Sequence, residues 1–140
     1  MRRLLLIDDE EGIRIVWKKW HDVMEPTFRG QCEMDTASSL AMAKHMIEKT
    51  PYDALILDLT MPPDGQDGVM SWIAESTPTK PPIIVLTGDE DIWVRRRCML
   101  MGAAQFFTKS DAEKFPNLFF KVIYNEYLKR YGATRETIPA

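Results

Sequence analysis

Ala54-Leu55-Ile56-Leu57-Asp58-Leu59-Thr60-Met61-Pro62 decides how the rest of the chain is read. Four apolar residues run straight into a carboxylate, and a Pro-Pro-Asp-Gly loop closes the stretch at Gly65. A short apolar run bounded by turn residues marks a strand buried on both faces, so Asp58 stands at the mouth of a sheet. The same design recurs three times. Leu4-Leu5-Leu6-Ile7 runs into Asp8-Asp9, Ile83-Ile84-Val85-Leu86 into Thr87, and Gln105-Phe106-Phe107-Thr108 into Lys109. Four strands end in residues capable of chemistry.

Between these strands the apolar spacing changes from two to three or four. Ile13, Val16, Trp17, Trp20 and Val23 fall at helical spacing within residues 11–24, with Arg14, Lys18, Lys19 and Asp22 between them, which predicts one core stripe and one wet face. A weaker strand follows near residues 31–35. Leu40, Ala43, Met46 and Ile47 make the stripe of a helix over 38–49, with Ser38 as its expected N-cap. A short helix is expected over 68–76, then a rigid connector with Pro78, Pro81 and Pro82. Another helix spans 91–101 and ends at Gly102, a natural C′ residue. The last runs from Pro116, well suited to the first helical position, to about residue 131. One domain over 1–131 and a polar tail or linker over 132–140 are expected.

Five strands alternating with five helices specify an α/β doubly wound parallel sheet with right-handed crossovers. In such sheets ligands bind beyond the carboxyl ends of the strands, where strand order reverses. The four polar strand ends therefore converge on one site.

Composition bounds the function. With 140 residues, 45% of them hydrophobic, the chain can bury one real core. A net charge of −3 leaves no basic footprint for direct nucleic-acid binding. Two distant cysteines, Cys32 and Cys98, in apolar contexts fit core-filling thiols of a reduced cytoplasmic protein. The apolar run after Met1-Arg2-Arg3 is too short for a signal peptide, and no run reaches the ~18 residues of a membrane span.

Carboxylates about 4 Å apart repel by roughly 4 kcal/mol per pair at an effective dielectric near 20, so Asp8, Asp9 and Asp58 cannot all stay ionised unaided. A hard divalent cation, Mg²⁺ or Mn²⁺, resolves that conflict by accepting carboxylates, a carbonyl, waters and phosphate oxygens. Lys109 and Thr87 then face an anion on the other side of the metal. The set suits phosphoryl transfer onto Asp58, with the carboxylate as nucleophile.

The chain resembles the receiver domains of bacterial two-component response regulators, in particular the stand-alone chemotaxis and phosphorelay types. The resemblance covers residues 3–129 and rests on Asp8-Asp9 after the first strand, Asp58 opening an Asp-x-x-Met-Pro stretch, Thr87 after the fourth strand, and Gly102-Ala103 leading to an aromatic three residues before Lys109. It implies a flavodoxin-like sheet in the order 2-1-3-4-5. It also implies that Asp58 is the phosphoacceptor, Asp9 a direct Mg²⁺ ligand, Asp8 a ligand through water, and the Thr60 carbonyl a further ligand. Lys109 would contact the phosphoryl group, Thr87 would move to hydrogen-bond it, and Phe106 would be the switch aromatic. The partners implied are a sensor histidine kinase or histidine phosphotransfer protein, and a downstream target or output domain read through the fourth helix, fifth strand and last helix.

Several positions depart from the family. Ser110 stands where most members have Pro after the lysine, often with a cis bond; a cis bond before a non-proline residue costs about 3 kcal/mol, so a trans bond is expected here. The loop from Pro62 to Gly68 is two residues longer before the Asp-Gly pair. Gly88 replaces the usual Ala and should open the site to water and donors. Phe106 lacks a hydroxyl. Thr60 and Asp89 are expected to tune phosphate lifetime, Asp89 by orienting an attacking water.

On the fourth helix, Trp93, Arg97 and Leu100 lie at i, i+4 and i+7, and Trp and Arg are favoured anchors of protein interfaces. They form a candidate partner or homodimer face. Rival functions are a phosphorylation-independent pseudo-receiver, the amino-terminal receiver of a DNA-binding or cyclase regulator, and a haloacid-dehalogenase-like phosphatase. The last wants a second acid two residues after the nucleophile, where Thr60 stands.

Overall fold

Each apolar tetrad becomes a strand. The computed structural model describes residues 2–24, 32–76 and 81–128. The strands are β1 (Arg2–Ile7), β2 (Cys32–Ala37), β3 (Ala54–Leu57), β4 (Ile83–Thr87) and β5 (Gln105–Thr108). They form one parallel sheet in the order β2-β1-β3-β4-β5, as the resemblance implied. The helices are α1 (Glu11–Met24), α2 (Leu40–Lys49), α3 (Gly65–Ser76), α4 (Ile92–Met101), α5 (Lys109–Lys114) and α6 (Pro116–Ile123), the last continuing as a π-helical turn over Tyr124–Leu128. Among the described residues that is six helices where five were expected. The expected end of the last helix near 131 and the tail lie outside the described residues.

Alternation along the strands builds two cores. Leu5, Ile7, Leu55, Leu57, Ile83 and Val85 face the side covered by α2, α3 and α4. Leu4, Leu6, Ile56, Ile84 and Leu86 face the side covered by α1 and α6. There the rings of Trp17 and Phe119 lie 4.9 Å apart, and Phe119 meets Phe107 at 5.0 Å, a geometry that adds to burial.

Local details refine the expectations. Ser39, not Ser38, caps α2, its hydroxyl accepting from the Met42 N–H at 3.1 Å. The buried stripe of α1 runs through Trp17 and His21, while Val16 and Val23 are exposed. His21 packs beside the Phe120 and Tyr124 rings, and that contact turns the helix so that the valines point outward. Cys98 is a core thiol, and Cys32 is only partly buried. α3 starts three residues earlier than expected, at Gly65, whose φ of 68° is one that L side chains rarely adopt. Gly102 closes α4 with φ 113°, its N–H reaching the Cys98 and Met99 carbonyls. The cis peptide bond found among the described residues is Pro62-Pro63, so Lys109-Ser110 is trans.

Candidate functional site

Parallel strands point their carboxyl ends the same way, so Asp8, Asp58, Thr87 and Lys109 all leave the sheet at one edge. β1 lies beside β3, and the Asp58 N–H bonds the Ile7 carbonyl at 3.0 Å, which sets Asp58 next to Asp8. Asp8 is 1% exposed, Asp58 3% and Thr87 0%. Asp9 stands exposed at the rim, yet carboxylate oxygens of Asp8, Asp9 and Asp58 all lie within 4.8 Å of one another.

Lys109 answers this charge. Its Nζ lies 2.9 Å from Asp8 Oδ2 and 3.7 Å from Asp58 Oδ2. It can do so because β5 turns directly into α5: Thr108 caps that helix by accepting the Asp111 N–H at 3.1 Å, making Lys109 its first residue. Asp8 is further fixed by the Glu10 N–H, which donates to Oδ1 at 2.9 Å, and Arg14 Nη1 donates to the Asp8 carbonyl at 2.8 Å. Neither contact was foreseen from the sequence.

Burial pushes the Asp58 carboxyl above the usual carboxylate range; Lys109 opposes that, Asp8 and Asp9 add to it, and a hydrogen bond from the Thr60 backbone opposes it again. For Lys109, burial alone would lower the pKa, but the hydrogen bond to Asp8 and the charges of Asp58, Asp8 and Glu10 together raise it. Lys109 faces Asp8 and Asp58, Asp9 adds a third carboxylate, and Asp58 Oδ1 is buried without a hydrogen-bond partner. A buried orphan oxygen is costly and calls for a donor or an ion. All-oxygen donors with excess negative charge and room at an exposed rim fit a hard divalent cation such as Mg²⁺.

The remaining expected residues are spread around this centre. Thr87 Oγ1 accepts the Asp89 N–H at 3.4 Å. Thr60 is exposed, two residues beyond Asp58. Phe106 is turned inward and buried with Val94 and Cys98, with the Arg95 guanidinium 5.9 Å from its ring centre. Trp93, Arg97 and Leu100 lie away from the acids on the outer face of α4, Trp93 65% and Leu100 82% exposed. Arg97 reaches Asp67 of α3 at 3.6 Å. Gln66, which nothing in the sequence marked, donates to Asp89 Oδ2 at 3.1 Å across the rim.

Comparison with known proteins places the chain by family and fold. The sequence profile of the response regulator receiver domain matches residues 4–118. The crystal structure of a response regulator receiver protein from Pseudomonas putida is similar, with a TM-score of 0.69 and 22% identity over 86% of this chain and 96% of that one. A response regulator from Burkholderia pseudomallei, determined with a phosphorylated aspartic acid, a calcium ion and citrate, gives a TM-score of 0.62 at 21% identity, over 78% of this chain and 60% of that one. The beryllofluoride-activated NtrC4 receiver domain dimer gives a TM-score of 0.64 at 27% identity, over 78% and 84%. No curated protein matches the chain.

Proposed function

The chain belongs to the response regulator receiver family, and from that premise we propose that it is a phosphorylation switch whose acceptor is Asp58. The observation that carries this reading is the buried, unpartnered Oδ1 of Asp58, set in a cluster of acids with one ammonium beside it. Asp58 attacks the phosphorus of a phosphohistidine on a sensor kinase or phosphotransfer protein. The P–N bond breaks as the P–O bond forms, the imidazole departs, and an acyl phosphate remains on Asp58. Water later returns the carboxylate and releases inorganic phosphate.

Asp8, Asp9, Asp58 and the Thr60 carbonyl would hold Mg²⁺ or Mn²⁺, which neutralises phosphoryl oxygens when bound. Lys109 is close enough to Asp58 to swing onto the transferred group and balance its charge. Thr87, buried at the end of the neighbouring strand, is the hydroxyl that moves to it, and Phe106 is the ring whose packing reports that movement. Phosphorylation adds nearly two negative charges, enough to bias a two-state element. The output face is α4, β5 and the α5–α6 corner, where Arg95, Phe106, Asp111, Phe115 and Leu118 line a cleft of about 440 Å³. Among the described residues no helix is long and apolar enough to cross a membrane.

Incubation with acetyl phosphate and Mg²⁺ followed by intact-mass measurement tests the reading. One phosphate adduct is expected, labile to hydroxylamine and absent in Asp58→Ala. No adduct, together with no Mg²⁺ binding, would favour a phosphorylation-independent pseudo-receiver.

A further inference from the structure

α3 and the turn between β4 and α4 meet across the rim of the acidic site. Gln66, the second residue of α3, donates from Nε2 to Asp89 Oδ2 at 3.1 Å. The other oxygen of Asp89 accepts the Asp91 N–H at 2.9 Å, while the Asp89 N–H reaches back to Thr87 Oγ1 at 3.4 Å. Asp91 in turn caps α4 by accepting the Trp93 N–H at 2.9 Å. The turn 88–91 is therefore tied to Thr87 at one end and to α4 at the other, and pinned in its middle by a side chain from a different element. The Asp89 carboxylate thus ties the turn to α3 through one oxygen and to the start of α4 through the other.

Thr87 is the hydroxyl that the proposed switch must move. Carrying it toward Asp58 either withdraws the acceptor from the Asp89 N–H or drags Asp89 along, and the second course pulls against Gln66. The space around Gly88 is open, a Cβ there meeting nothing within 4 Å, so neighbouring atoms do not wedge the turn in place. A contact made in one arrangement and lost in the other shifts the equilibrium by its own free energy.

We infer that Gln66 is a positioning residue that acts through Asp89 to hold Thr87 in its unswitched place, and so sets how readily the site takes up a phosphoryl group. The inference rests on the reading of Asp58 as phosphoacceptor. A single partly exposed hydrogen bond corresponds to about a fivefold change in an equilibrium.

Beryllofluoride, titrated with Mg²⁺ into the whole chain, reads that change in the wild type, Gln66→Ala, the isosteric Gln66→Glu, Asp89→Ala and the Gln66→Ala/Asp89→Ala double variant. The two Gln66 variants should bind about fivefold more tightly, and Gln66→Ala should add nothing in the Asp89→Ala background. Amide hydrogen exchange of 88–91 in unliganded protein should be faster in Gln66→Ala than in wild type. Unchanged or weaker beryllofluoride binding by both Gln66 variants overturns the inference, as does an equal effect of Gln66→Ala with and without Asp89. If the wild type itself binds no beryllofluoride, the reading of Asp58 falls, and unchanged exchange of 88–91 in Gln66→Ala still overturns the pin by itself.

Discussion

Tyr52 shows what a single buried hydroxyl contributes. Its Oη donates to Asp35 Oδ2 at 2.7 Å, and Arg3 Nη1 lies 3.4 Å from that same oxygen, tying β1, β2 and the segment before β3. Burial, then the hydrogen bond and charge of Asp35, push the Tyr52 pKa up to about 12. A folded-state pKa above the unfolded value means stability that is complete below pH ~10 and is lost as pH rises through the folded value. Tyr52→Phe should cost about 1 kcal/mol at pH 7 and flatten the loss of stability between pH ~10 and ~12, measured by urea unfolding across that range. Equal slopes in the two proteins would refute it, and Lys109, whose pKa is also raised, titrates in both. At this scale the sequence was most readable where topology does the gathering. Asp8, Asp58, Thr87 and Lys109 each follow an apolar run closely, and a parallel sheet sends all such positions to one edge. Gln66 and Arg14 were not readable, because their partners are fixed by how a helix and a turn, or a helix and a strand end, approach in space.

Helices were harder to bound than strands, for reasons visible in particular residues. In α1 the expected stripe through Val16 and Val23 gives way to one through Trp17 and His21, because His21 meets the Phe120 ring edge-on and is buried there. α5 was missed although Thr108-Lys109-Ser110-Asp111 carries a capping signal. Pro116 then starts α6 afresh. On α4, the Trp93 ring is exposed with the Arg96 guanidinium 5.4 Å from its centre, and Ile92 and Leu100 of the same helix are exposed as well. Its truncation removes no buried contact from the core, so Trp93→Ala should leave folding stability within about 0.5 kcal/mol. It should weaken self-association or partner binding of the beryllofluoride-treated protein at least about tenfold, as loss of an aromatic anchor does. Sedimentation and partner affinity both unchanged would remove α4 as a docking face.

The molecule as a whole is held between two helical layers, with its least comfortable charges gathered at one end of the sheet. A cation that binds only the folded chain adds stability by mass action, about 2.7 kcal/mol at a hundredfold excess over its dissociation constant. Mg²⁺ should therefore raise the melting temperature by several degrees. EDTA should reverse the gain, and Asp9→Asn should reduce it while raising the metal-free melting temperature slightly, because it removes a charge that repels Asp8 and Asp58. A melting curve indifferent to Mg²⁺ would refute a resident cation. At the other end of the sheet, Arg2 Nε donates to the Leu128 carbonyl at 3.2 Å. Arg2 opens the strand that Asp8 follows, and six residues of strand span roughly 20 Å. A fluorophore or fusion joined after Leu128 thus starts far from the acids, too distant to obstruct phosphate entry. For the same reason it can sense the site only through rigid elements that carry the motion across, so a reporter at that position would record transmission rather than occupancy.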